Sequence, residues 1–230
     1  MFGFFGPGWE LMIVGILVTL WAQFKVKGTF RKFDKFASRS GLAADEVARD
    51  ILRRGGLSVD VEHVGGDLTD HYDPRDRTLR LSDSVYGNRS LAAIGVAAHE
   101  AGHAFQHANG YVPLTLRTNL VPVANIGSKL SWILILAGMF LGSMGLFQLG
   151  IAFFSFAVLF SLVTLPVEFN ASSQAIRILA DGGYLTREEV PAARKVLNAA
   201  ALTYLASALV AVLELLRMLI MSGLLGNSDD

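Results

Sequence analysis

A chain of 230 residues that is 52% hydrophobic, with a positive mean hydropathy, can build one sizeable core but is too apolar for an ordinary soluble domain. Twenty Lys and Arg balance twenty Asp and Glu, so the overall charge gives no reason to expect a nucleic-acid partner. Cysteine is absent, which excludes disulfides, thiolate zinc sites and a cysteine nucleophile, and leaves any metal to His, Asp or Glu.

The N-terminus lacks the basic region and small-residue cleavage site of a removable signal peptide, so the apolar stretch at 4–24 is expected to stay as a first membrane span. Its single acid, Glu10, lies near one end, where a carboxylate reaches the interface. Lys25, Lys27, Arg31, Lys32, Lys35 and Arg39 crowd the exit and mark that side as cytoplasmic.

A polar segment at about 25–127 follows. Residues 41–55 read as an amphipathic helix closed by glycine, with Leu42, Val47, Ile51 and Leu52 free to pack and its charges forming a solvated face. Alternation at 59–64 and 78–82 predicts two strands of a small sheet, separated by the turn-rich Asp73-Pro74-Arg75-Asp76. The strand at 78–82 precedes the next helix directly, and as an edge strand it could pair with an extended peptide. Ser90 can cap a helix from Leu91, and Asn109-Gly110 supplies the stop.

That helix carries His99-Glu100-Ala101-Gly102-His103, an HExxH pattern. Residues four apart share one helix face, so both imidazoles can reach one Zn²⁺ while Glu100 stands beside a metal-bound water. Zinc lowers the pKa of that water towards about 7, and the carboxylate takes its proton as it attacks a peptide carbonyl. A catalytic zinc takes three protein ligands. His107 continues the spacing but sits about 12 Å along the axis from His99, too far to share the ion, and is assigned to the surroundings of the site or to substrate. Position 109, where HExxHxxGxxH would place a third histidine, is Asn109.

Three more apolar spans complete the chain, at about 128–147, 149–168 and 199–220, with a tight turn at Phe147-Gln148-Leu149. Glu168 follows Leu165-Pro166-Val167 at the cytoplasmic end of the third span, which returns it to the face holding His99 and His103, so it is the favoured third ligand. In the fourth span Arg217 lies three residues after Glu214, the spacing of an intrahelical ion pair. Arg177, Tyr111, Tyr184, His71 and Tyr72 could each stabilise an oxyanion, and no spacing selects among them. The sequons at Asn88 and Asn170 fall on the cytoplasmic side and are taken as accidental.

The segments Asp70–Ser82, Val96–His107, Leu120–Gly127 and Pro166–Ser172 together resemble the bacterial YugP-like neutral zinc metallopeptidases over nearly the whole chain. The resemblance implies an integral membrane peptidase with His99 and His103 as zinc ligands and Glu100 as catalytic base. A looser similarity links it to the HtpX and CAAX-prenyl-protease group, in which two membrane spans also separate HExxH from a glutamate ligand, an order that maps onto Glu168. In that group an aspartate four residues beyond the glutamate orients a zinc histidine. This chain has Ser172 there, so the groups that support the ligands are expected to differ, with Ser172, His107 and Arg177 as candidates.

The expected fold is a mainly α integral membrane protein with about four transmembrane helices and a small α+β cytoplasmic zincin-like portion at 25–127, completed by 168–198, all in one domain. The expected function is zinc-dependent endopeptidase activity at the cytoplasmic surface of the bacterial plasma membrane, on polypeptide or membrane-protein substrates. Alternatives are a non-catalytic membrane adaptor with a structural metal, or a zinc hydrolase of a non-peptide amide or lipid. No sequence feature selects a cleavage preference or an oligomeric state.

Overall fold

A computed structural model describes residues 8–224. The order is α1 (Trp9–Phe33), α2 (Ala44–Arg54), β1 (Asp60–His63), β2 (His71–Asp73), β3 (Thr78–Leu81), α3 (Leu91–Ala108), α4 (Val112–Leu141), α5 (Met144–Asp181) and α6 (Val190–Met221). Four of these helices, α1, α4, α5 and α6, are long and apolar enough to cross a membrane. The start of the first expected span and the tail Asn227–Asp230 lie outside the described residues.

The chain gathers into two compact units. One comprises the residues up to Ala22, Leu116–Leu165 and those from Thr203 onward. Its core is a cluster of Ile135, Phe147, Ile151, Phe154, Val158 and Met218. Large apolar side chains such as Leu17, Ile133 and Phe140, the last 86% exposed, point away from that core. A helix surface of this kind suits hydrocarbon rather than water. Within α6, Arg217 Nε donates to Glu214 at 3.0 Å, so the two charges neutralise each other as their spacing predicts.

The turn between α4 and α5 falls at Gly142-Ser143 and not at 147–149. Gly142 has φ of +64°, a conformation that side chains disfavour, and Ser143 Oγ then accepts from Leu146 N. Phe147 and Leu149, expected in the turn, are helical, and Phe147 is among the most buried side chains of its unit. Apolarity continues through the true turn, which is why hydropathy alone misplaced it.

The other unit holds Gln23–Thr115 and Pro166–Leu202. Here α2 packs on α3 through Val47, Ile51 and Leu52 against Ile94, Ala97, Ala98 and Ala101. Leu79 and Leu81 of β3 enter the same core, as do Ala175 and Leu179 of α5 and Val196 and Leu197 of α6. Burying each such Leu contributes about 1.5–3 kcal/mol. Leu42 does not join them and is 37% exposed, because α2 begins only at Ala44. Nor is the charged face of α2 wholly solvated. Asp45 is buried, paired with Arg49 and accepting from Gly87 N at 3.1 Å.

The sheet order is β1-β3-β2, with β1 parallel and β2 antiparallel to β3. β3 is therefore the central strand, and the expected pairing of an extended peptide with 78–82 is ruled out because both its edges are filled. β2 was not expected. It is three residues long and interrupts a polar run, so neither alternation nor hydrophobicity announces it.

Candidate metal centre

α3 starts where Ser90 Oγ accepts from Ala93 N at 3.1 Å and donates to Asp34 at 2.8 Å. It runs through a core made of alanines and glycine, which lets neighbouring elements come close. The closest approach is at Gly102, where a Cβ would lie 2.9 Å from the Ala171 carbonyl oxygen on α5. That contact brings the Glu168 turn of α5 against His99 and His103.

Nε2 of His99 lies 3.2 Å from Glu168 Oε2, and Nε2 of His103 lies 3.5 Å from the same oxygen. Ligand atoms of the three residues all lie within 4.8 Å of one another, and all three residues are buried, Glu168 to 2% exposure. Two ligands of a tetrahedral zinc, each about 2.0–2.2 Å from the ion, stand roughly 3.3–3.6 Å apart. The two nitrogen–oxygen separations match that spacing, and two nitrogens with one oxygen are a donor set that suits zinc.

The other ring nitrogens are already engaged. His99 Nδ1 is 3.1 Å from Ser172 Oγ, and His103 Nδ1 is 3.0 Å from Gln106 Oε1. Such contacts fix ring orientation and leave Nε2 of each imidazole for the metal. Gln106 is 1% exposed, and its Nε2 donates to the Val167 carbonyl at 2.8 Å and to Asn170 Oδ1 at 2.9 Å. A single amide thus ties α3 to the residues that flank Glu168. Sequence reading missed both Gln106 and Gly102, although Gln106 stands three residues after His103 on the same helix face.

Glu100 is buried, and among the described residues no protein donor engages its carboxylate. Its charge acts on His103, whose imidazole burial would lower but which Glu168 and Glu100 raise on balance. It acts also on Asp70, whose carboxyl is pushed up by burial and further by Glu100, against bonds from Ser82 N at 2.8 Å and Ser82 Oγ at 2.9 Å.

The remaining candidates separate. His107 is exposed, with Nδ1 2.8 Å from the Tyr72 hydroxyl, and is not part of the His99–His103–Glu168 group. Arg177 is exposed on α5. Tyr184 donates to Asp50 at 2.7 Å, which occupies its hydroxyl on α2. His71 Nδ1 lies 2.9 Å from the Thr69 carbonyl oxygen, and the Tyr111 hydroxyl reaches the Pro166 carbonyl at 3.5 Å. Asn170 Oδ1 accepts from Gln106 Nε2 beside the site.

The family described as "Putative neutral zinc metallopeptidase" matches residues 9–223. The chain belongs to that family. Within this zinc metallopeptidase family, it is 52% identical over 208 residues to the "Putative membrane protease YugP" of Bacillus subtilis (strain 168), covering 90% of this chain and 92% of that protein. No solved structure matches the chain. The family and this relative agree with a membrane protein that uses zinc to hydrolyse peptides, and His99, His103 and Glu168 form a group able to hold the ion.

Proposed function

We propose that the chain is a multi-pass endopeptidase of the bacterial plasma membrane, gluzincin-like, with one metallopeptidase domain whose active site faces the cytoplasm. The observation that carries this reading is the convergence of His99, His103 and Glu168 beside a buried Glu100. The basic residues from Lys25 to Arg39 at the exit of the first span support the orientation.

His99 and His103 would hold zinc through Nε2 and Glu168 through its carboxylate, while Ser172 and Gln106 keep both rings turned inward. Zinc bound there supplies a Lewis acid that activates water and polarises the carbonyl. Glu100 takes the proton of the attacking water and passes it to the departing amide nitrogen.

Glu100→Gln tests the reading. The variant should bind zinc like the unaltered chain and lose cleavage of a denatured polypeptide or membrane-protein substrate by at least about 100-fold. Undiminished proteolysis would refute the role given to Glu100.

A further inference from the structure

A polar cavity of about 420 Å³ opens one helical turn beyond the metal ligands, between the C-terminal end of α3 and the sheet. Ser58, Tyr72, Arg77, Ala104 and His107 help to line it, and among the described residues no Asp or Glu does. Ala104 follows the ligand His103 directly, and His107 lies roughly 6 Å further along the axis. A peptide held at the metal would cross that distance in about two extended residues.

Arg77 closes the four-residue turn between β2 and β3 with φ of +54°, a left-handed position at which Gly or Asn is the low-strain choice. Its carbonyl accepts from Asp60 N at 3.2 Å, which pins the strained backbone against the start of β1. Among the described residues no carboxylate forms an ion pair with its guanidinium, whereas Arg75 and Arg80 on the same hairpin pair with Asp73, Asp76 and Glu62. Arg77 lines a cavity that no acid lines, so its guanidinium is a cation available there to an anionic group. The Tyr72 hydroxyl lies 2.8 Å from His107 Nδ1 across the same cavity. With Tyr72 donating, the neutral imidazole keeps its proton on Nε2 and offers a further donor.

We propose that this cavity is a substrate subsite for a carboxylate, with Arg77 as its cation and the Tyr72–His107 pair as its hydrogen-bonding wall. The assignment rests on the peptidase reading, since it places the carboxylate within two residues of the bond to be cut. The group could be an acidic side chain or a free C-terminus, which share one chemistry.

The test uses full-length, zinc-loaded Glu100→Gln protein and fluorescein-labelled octapeptides of Ala and Leu. One set carries a single Glu or a matched Gln with an amidated end, and the other carries Gln with a free or an amidated end. A carboxylate peptide should bind at least about 10-fold tighter than its neutral partner, and the set showing the preference identifies the source. Adding Arg77→Gly, which relieves the left-handed strain and should not lower the unfolding temperature, should collapse that ratio to near 1. Arg77→Lys should restore part of it, and Arg75→Gln on the same turn should leave it unchanged. Equal binding of both partners, no binding of either, or a ratio that survives Arg77→Gly overturns the subsite. Cleavage of the same peptides by the unaltered chain reports separately on the peptidase reading: an Arg77-dependent preference without cleavage would sink that reading and leave the carboxylate site standing.

Discussion

Gln106 Oε1 lies 3.0 Å from His103 Nδ1, and the same side chain donates to the Val167 carbonyl next to Glu168. One buried amide therefore sets the ring of one proposed ligand and the position of another. Gln106→Leu keeps approximate volume and removes both functions. Zinc affinity, read by competition with a chromogenic chelator, should fall about 10–100-fold. An unchanged affinity would mean that α3 and α5 are registered by packing alone.

Gly102 is the packing element of that register. In Gly102→Ala the added methyl meets the Ala171 carbonyl oxygen at 2.9 Å, and backbone cannot step aside as a flexible side chain would. Overpacking of this kind costs about 1–3 kcal/mol. Both the unfolding temperature and zinc affinity should drop, because separating the helices moves Glu168 from the imidazoles. A variant that bound zinc normally with lowered stability would show that the site tolerates helix separation.

Ser172 Oγ is 3.1 Å from His99 Nδ1, the ring nitrogen turned away from the proposed metal. Ser172→Ala should weaken zinc binding about 10-fold, while Ser172→Asp should bind at least as tightly as the unaltered chain, since a carboxylate accepts the same proton more strongly. Weaker binding by the aspartate variant than by the alanine variant would show that the pocket is built for a neutral partner.

Much of this centre was legible in the sequence. HExxH needs only helical spacing, and Glu168 was reached by counting spans, which return the end of the third one to the side that holds His99 and His103. The groups that set the ligands were not legible. Gln106 and Gly102 act through contacts with Val167, Asn170 and Ala171, more than sixty residues away in the chain, and no local pattern encodes such pairings. The sheet was half visible for a related reason: β3 alternates, but its central place depends on β2, three polar residues that become a strand only by pairing. Hydropathy likewise marked the α4–α5 hairpin and missed its turn, which depends on the backbone freedom of Gly142.

The Tyr184–Asp50 contact predicts a pH dependence. Burial and the bond to Asp50 push the Tyr184 hydroxyl up from 10 to about 12. A raised pKa means that between pH 10 and 12 the folded chain keeps a proton the unfolded chain loses. The stabilisation is thus complete below pH 10 and is lost as pH rises through 12. Tyr184→Phe should cost about 0.5–1.5 kcal/mol near neutrality. In thermal unfolding from pH 8 to 12, its deficit relative to the unaltered chain should shrink towards zero. A deficit constant across that range would remove the hydroxyl from the balance.

The central claim is that Glu168, far from HExxH in the chain, completes the metal site. Zinc content and affinity of purified Glu168→Ala test it most directly, with a fold check by circular dichroism. The unaltered chain should hold one zinc per molecule, and the variant should keep its helices while losing affinity at least about 100-fold. A folded Glu168→Ala protein that binds zinc as tightly as the unaltered chain would contradict the account and send the third ligand elsewhere.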